Sequence, residues 1–219
     1  MDWLALQIAD AAFPAGGFAH SAGLEAAVQL GEVKTEEDVR RFVHAAVWQT
    51  GLASVPFVHA AHTAPLDVGR IDAACDAFLL QSVANRASRT QGRAFVATSA
   101  RIFDVPAVMT LDAQVRGKAL CGHHAVVFGA TLEALGLDWP STQRLFLHLA
   151  LRGVTSAAIR LGVIGPHEAQ RIQHEAAPLL DEVARASCDV GVEDAAQPAP
   201  LLDLFGQLHD RLYSRLFQS

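Results

Sequence analysis

Residues 8–25, I-A-D-A-A-F-P-A-G-G-F-A-H-S-A-G-L-E, form a turn-rich insert between two apolar segments of helical character. Pro14 has no backbone donor and pushes the residue before it into an extended conformation, so the first segment ends here. Gly16 and Gly17 allow backbone angles that other residues avoid, and they let another segment approach closely. We therefore predict a sharp structural corner at residues 13–21, held by this proline and these two glycines.

A second helix is predicted directly after the corner. Ser21 is placed to cap its N-terminus, and Gly31 to end it after Leu30. Phe18 and His20 then line the junction between the two helices. Two interpretations are open, an ordinary helix–helix turn with buried aromatic side chains or a rigid support for a partner surface.

Composition indicates one sizeable domain that buries a large core or covers part of its surface with a partner. Of the 219 residues, 51% are apolar and only 18% are charged, and the net charge is −6 at pH 7. The charged share lies below the ~25% that is typical of soluble domains. Because nucleic-acid binders normally carry a basic face, the negative charge argues against that class.

Three features favour a cytoplasmic protein without a membrane segment. The cysteines, Cys75, Cys121 and Cys188, are widely spaced and form no C-x-x-C, which fits a reducing compartment better than a disulfide framework. The start, M-D-W, lacks the basic region and long apolar core of a signal peptide. No stretch approaches the ~18 uncharged apolar residues of a membrane span.

Apolar residues recur at helical spacing through residues 1–188, and no period-two pattern of β-branched residues persists long enough for a strand. One helix begins after Thr35, which can cap a first turn of three acids, and Gly51 is predicted to end it. Another helix is expected to kink or split at Pro178. The predicted fold class is all-α, a single-domain bundle of about ten helices.

The C-terminus is predicted to be a tethered amphipathic helix. Residues 189–200, D-V-G-V-E-D-A-A-Q-P-A-P, are rich in small, acidic and proline residues and are interpreted as a linker. Residues 201–219 then carry an apolar stripe at helical spacing, formed by Leu201, Phe205, Leu208, Leu212 and Leu216. Tyr213 and Arg215, which are flanked by Leu212, Leu216 and Phe217, have the composition of an interface anchor. The alternative is a C-terminal helix that docks on its own domain.

No pattern indicates catalysis, a cofactor or a dedicated metal site. The sequence has no G-x-S-x-G elbow, no Cys-His signature and no phosphate-binding G-x-x-x-x-G-K-S/T. His59 and His62 could share an ion on one helical face, but no Cys or carboxylate spacing completes the set. The adjacent His123 and His124 would point ~100° apart on a helix and are a poor chelating pair.

A polar stripe on the long helix predicted over residues 82–102 is a further candidate surface. Asn85, Arg89 and Arg93 recur every four residues. The alternative interpretation is an ordinary solvated face. Because the arginine fork suits carboxylates and arginine is enriched at interfaces, Arg89 and Arg93 are candidate docking contacts.

Five separated segments together resemble the F-type urease accessory proteins. They are F-P-A-G-G-F-A-H-S-A-G-L-E at 13–25, S-R-T-Q-G-R at 88–93, G-H-H-A-V-V-F-G at 122–129, R-L-G-V-I-G-P-H-E-A-Q-R at 160–171, and H-D-R-L-Y-S-R-L-F-Q-S at 209–219. The resemblance spans nearly the whole chain, and its first and last motifs are long and specific. Two departures are visible. His124-Ala125 stands where the family has an aromatic residue and a proline, and Phe18 stands where some members carry tyrosine.

The resemblance implies an all-α protein without enzyme activity or cofactor that forms a homodimer. It also implies a position between a D/H-type accessory protein and a GTP-hydrolysing G-type protein, in an assembly that transfers nickel into the urease apoprotein. Two other classes remain open. One is a nickel-binding delivery protein that uses its own histidines, and the other is a hydrolase with an unfamiliar site.

The corner, the arginine stripe and the C-terminal segment supply the candidate partner-binding residues. They are Phe18, His20, Ser21, Arg89, Arg93, Tyr213, Arg215 and Leu216. We expect the segment after the linker to be mobile in the free protein and to be ordered by the D/H-type partner. Arg215 is then expected to help recruit the GTPase.

Overall fold

The computed structural model describes residues 3–218, and within that range it contains helices, turns and irregular segments but no strand. The prediction of an all-α fold is therefore confirmed. The α-helices, in chain order, are α1 Trp3–Ala9, α2 Leu24–Gln29, α3 Glu36–Ala53, α4 Val55–Thr63, α5 Val68–Phe78, α6 Ser82–Phe103, α7 Pro106–Arg116, α8 His124–Ala134, α9 Trp139–Arg160, α10 Pro166–Glu175, α11 Ala177–Ser187 and α12 Pro200–Leu208.

Helix α8 lies at the centre of the bundle, between α4 and α6. Residues 125–132 are all buried, as expected for a helix that is apolar on every side. A Cβ atom on Gly129 of α8 would lie 2.2 Å from the carbonyl oxygen of Val58, and one on Gly92 of α6 would lie 2.1 Å from that of Gly122. The central helices therefore approach so closely only because these two positions carry no side chain.

Several predicted helix boundaries are confirmed by their chemistry. Thr35 Oγ1 accepts the backbone N–H of Asp38 at 3.2 Å, and the Asp38 carboxylate accepts the N–H of Thr35 at 2.9 Å. This reciprocal capping box starts α3. Pro178 splits its segment into α10 and α11.

The prediction that Gly51 ends a helix is wrong, because α3 continues through Gly51 to Ala53. Gly51 is buried where α11 crosses α3, and a Cβ atom there would lie 2.2 Å from Cγ1 of Val183. The glycine is thus required by helix packing and not by helix termination, two roles that a sequence does not distinguish.

The C-terminal helix is present, but it is shorter than the apolar stripe indicated. Helix α12 ends at Leu208 and is followed by a 3₁₀ turn at His209–Arg211 and by an irregular segment. Leu202 and Phe205 pack against the core, while Leu201 is 65% exposed. The buried face of the helix is therefore rotated from the predicted stripe.

The segment before α12 is anchored to α3, although its composition indicated a free linker. The backbone N–H of Ala196 donates to the carbonyl oxygen of Leu52, and that of Ala199 donates to Oε1 of Gln49 at 2.9 Å. The linker was predicted from its lack of apolar residues, and such a count does not detect backbone hydrogen bonds of this kind. Across residues 3–218, no helix combines the length and apolar character needed to cross a bilayer.

Candidate functional site

The C-terminal tail, residues 209–218, returns to the corner and is held there by Glu25 of α2. The carboxylate of Glu25 accepts the backbone N–H groups of Leu216 at 2.6 Å and of Phe217 at 3.1 Å, and it lies 3.0 Å from Nε2 of His209. Glu25 is only 1% exposed. A buried carboxylate is costly unless donors surround it, so these three contacts make Glu25 the main polar attachment of the tail.

Two further hydrogen bonds join the tail to the surrounding chain. The backbone N–H of Gln218 donates to the carbonyl oxygen of Ala19 at 2.8 Å, and Nε2 of Gln29 donates to the carbonyl oxygen of Ser214 at 2.9 Å. The tail is therefore bonded both to the corner and to α2.

A cation–π sandwich completes the attachment. The guanidinium carbon of Arg160 lies 3.9 Å from the ring centroid of Phe18 and 4.1 Å from that of Phe217. Such contacts contribute ~0.5–1 kcal/mol each at exposed sites and more when desolvated. Phe217 is buried, whereas Tyr213 projects into solvent. The apolar anchor of the tail in this structure is thus Phe217, and the predicted anchor Tyr213 remains available to a partner.

Gly23 allows α12 to pack against the start of α2. Its φ is +85°, and a Cβ atom there would lie 2.9 Å from the backbone nitrogen of Gly206 in α12. Gly23 is also the N-cap of α2, which has no side-chain capping bond. The prediction that Ser21 caps this helix is therefore wrong. Ser21 is buried before the helix begins, and its carbonyl oxygen accepts the N–H of Leu24 at 3.0 Å.

The two glycines of the corner have different roles. Gly16 has a φ of +77°, and a Cβ atom there would lie 2.9 Å from that of Ala94 in α6, as expected for a crowded turn. Gly17 begins a 3₁₀ turn without a positive φ, and nothing lies within 4 Å of the position of its Cβ. The prediction that Gly17 needs special backbone angles is wrong. The carbonyl oxygen of Pro14 accepts the hydroxyl of Thr98 at 3.0 Å, which ties the corner to α6.

The arginine side chains of α6, which are Arg86 and the stripe residues Arg89 and Arg93, lie in different surroundings. Arg86 forms an ion pair with Asp210 of the tail at 2.8 Å, and Arg215 lies 3.6 Å from the same carboxylate. Arg89 instead lies 3.9 Å from Asp76 of α5. Arg93 is exposed. The structure thus brings Phe18, Arg215 and Leu216 together around the tail but leaves Arg89 and Arg93 outside these contacts.

Several histidines are held in their neutral form by burial. Burial, and secondarily the nearby His209, lower the pKa of His20 to about 4. Burial, with a smaller contribution from His20, likewise lowers the pKa of His124 to about 4.

His59 and His62 pack against Trp139, with ring centroids 4.5 and 5.9 Å away, and Nε2 of His62 is 2.8 Å from the carbonyl oxygen of Leu137. Both histidines, which were considered from the sequence as a pair that could share an ion, are therefore engaged in packing.

Four residues hold the tail, and the sequence patterns single out only Phe217 among them, as a neighbour of the predicted anchor. These residues are Glu25, Arg160, His209 and Phe217. Glu25 is the only acid in the apolar helix L-E-A-A-V-Q, and a single charge on a helix that is otherwise apolar is a usable signal for a buried partner. The other three lie in the motifs at 160–171 and 209–219.

Known proteins are similar in sequence to this chain over its whole length. The UreF family model matches residues 33–177. Urease accessory protein F of Arabidopsis thaliana is 38% identical over 224 residues, covering 100% of this chain and 93% of the relative. Urease accessory protein F of Oryza sativa subsp. indica is 37% identical over 220 residues, covering 98% of this chain and 84% of the relative.

A bacterial relative shows the same extent of similarity at lower identity. Urease accessory protein UreF of Trichodesmium erythraeum is 27% identical over 219 residues, covering 97% of this chain and 94% of the relative. The match of the family model to most of the chain, together with the near-complete coverage of the plant relatives, shows that this all-α chain belongs to the UreF family of urease accessory proteins.

Proposed function

We propose that this protein acts in urease maturation as a non-catalytic adaptor in the cytoplasm. In this proposal it joins a D/H-type accessory protein to a G-type GTPase while nickel is inserted into the urease apoprotein. Membership of the UreF family supports the role in urease maturation. The choice of partners follows the family resemblance of the corner and tail motifs.

The main support for the proposal is that the tail packs against the corner. The two segments lie at opposite ends of the chain, yet Glu25 and Arg160 join them into one surface. Large apolar side chains project from that surface, since Phe18 is 71%, Leu216 53% and Tyr213 fully exposed. Aromatic and arginine side chains are the residue types that dominate binding energy at interfaces. We infer that this surface is where the D/H-type partner docks.

The proposal includes a homodimer. The high apolar content of the chain supports it, and closed two-fold association is the commonest symmetric arrangement. Light scattering on the free protein and on its complex checks this. A protein that stays monomeric in both states contradicts the dimer.

The experiment that tests the adaptor role is deletion of residues 210–219. This deletion removes Tyr213 and Leu216 from the apolar surface, but it keeps Phe18 in the corner and His209 beside Glu25. We expect circular dichroism and light scattering to show an unchanged fold and dimer, while co-expression with the D/H-type protein, the GTPase and urease yields neither complex nor activated urease. Assembly of the truncated protein with both partners would contradict the proposal.

A further inference from the structure

A mixed cluster of potential metal ligands lies where the loop between α7 and α8 meets α5. Asp76 of α5, Cys121 and His123 each offer one donor atom, and these atoms lie within 4.8 Å of one another. Nε2 of His123 is 3.0 Å from Oδ1 of Asp76. Two ligands that bind one ion through bonds of ~2.0–2.2 Å stand ~2.8–3.6 Å apart, depending on the coordination geometry. This separation therefore fits shared coordination.

The backbone of this loop is held in place without any ion. Asp72 is 1% exposed, and its carboxylate accepts three successive N–H groups, from Cys121 at 2.5 Å, Gly122 at 3.1 Å and His123 at 2.9 Å. Gly122 has a φ of +78°, which lets the chain turn between the two donor residues. The Cys-x-His segment is therefore fixed before any ligand arrives.

The side chains also have the supporting contacts that metal ligands usually have. Nδ1 of His123 lies 3.2 Å from Oγ of Ser88, so a proton on Nδ1 can be donated there and the lone pair of Nε2 is left for an ion. Oδ1 of Asp76 accepts Nδ2 of Asn85 at 2.9 Å, which orients the carboxylate. His123 is fully buried, whereas Asp76 and Cys121 are partly exposed, so an ion has access from solvent.

The donor set determines which ions fit. A thiolate and an imidazole select late first-row metals over Mg²⁺ and Ca²⁺, which prefer oxygen ligands alone. Water from the exposed side can complete the coordination. We propose that Asp76, Cys121 and His123 form a binding site for one late first-row divalent cation of the class of Zn²⁺, Co²⁺ and Ni²⁺.

This site differs from the histidine pairs considered from the sequence, and it does not depend on the adaptor role. His123 acts with Asp76 and Cys121 and not with its neighbour His124. The ring of His124 instead packs at 5.9 Å from Phe95 and 5.5 Å from Phe146, measured between ring centroids.

Titration of the metal-free full chain with Co²⁺ under reducing conditions tests the site. We expect a thiolate-to-Co²⁺ charge-transfer absorption that saturates at one ion per chain. Cys121→Ser should abolish this absorption, and Asp76→Asn should weaken apparent affinity by about tenfold or more. Cys188→Ser is the matched control, because Cys188 is also a partly buried free thiol, and it should change nothing.

A second measurement uses the unaltered protein, so misfolding of a variant cannot obscure the result. Saturating Zn²⁺ or Co²⁺ should slow alkylation of Cys121 by iodoacetamide, measured by peptide mass spectrometry, and leave Cys188 at its original rate. Absence of the charge-transfer absorption in the wild-type protein, its persistence in Cys121→Ser, or equal alkylation of Cys121 with and without the ion would each overturn the site.

Discussion

The carboxylate of Glu25 and the ring of His209 meet at 3.0 Å with both side chains almost completely buried. This contact joins the second helix of the chain to its C-terminal tail. Since Glu25 also accepts two backbone N–H groups of the tail, one acidic side chain supplies three of the contacts that hold the tail on the corner.

Glu25→Gln should loosen the tail without unfolding the bundle. The amide keeps the shape of the side chain but replaces one acceptor oxygen with a donor, so at least one tail N–H loses its partner. Removing charged hydrogen bonds of this kind costs ~1–3 kcal/mol. Hydrogen exchange should become faster at residues 212–218, while the exposed control Glu37→Gln should match the wild type.

The same exchange measurement tests the mobility predicted for the wild-type tail. If the tail is mobile in the free protein, its amides exchange rapidly and Glu25→Gln changes them little. If the contacts of Glu25 hold the tail, the tail amides are protected in the wild type and exchange faster in the variant. Protection in the free protein would contradict the prediction of mobility and would favour the alternative of a tail docked on its own domain.

Gly23→Ala should displace α12 from α2. The variant combines the strain of a positive φ with a Cβ atom placed 2.9 Å from the backbone of Gly206. Gly162→Ala is the matched control, since its φ is +71° but nothing lies within 4 Å of its Cβ position. We expect Gly23→Ala to lose ~1–3 kcal/mol more stability than the control in chemical denaturation. Equal losses would mean that α12 does not pack tightly at this point.

His124→Phe should make the free energy of unfolding depend less on pH below about 6.5. The pKa of His124 is lowered to about 4 in the folded protein, against ~6.5 in the unfolded chain. Between these values the unfolded chain binds the proton and the folded protein does not, so stability falls as pH drops from about 6.5 to 4. The variant should remove about 3 kcal/mol of this loss in denaturation series at several pH values.

Local chemistry explains why most helices could be predicted. Thr35 with Asp38 marks a helix start, Pro178 marks a break, and both signals act within a few residues. The role of Gly51 depends on Val183 in another helix, and a sequence does not show that crossing.

The candidate site depends on long-range contacts in the same way. Its predicted residues Phe18 and Leu216 lie in the corner and in the tail, and these two segments are joined by Glu25 and Arg160. The sequence marks these two residues only as polar groups among apolar neighbours. Glu25 lies 191 residues from Leu216, and Arg160 lies 142 residues from Phe18, so spacing alone could not identify the attachment.

We propose that the joined corner and tail form the docking surface for the D/H-type accessory protein. The double variant Tyr213→Ala/Leu216→Ser removes two exposed side chains and leaves the backbone contacts of Glu25 in place. Leu66→Ser is its control, because Leu66 is fully exposed elsewhere on the molecule. Both variants should keep wild-type stability to within about 0.5 kcal/mol.

The deciding measurement is the Kd of each variant for that partner. We expect the double variant to bind at least ~30-fold more weakly, as loss of an interface hot spot of ~2 kcal/mol requires, and Leu66→Ser to bind like the wild type. A double variant with the affinity of the Leu66→Ser control would contradict the account.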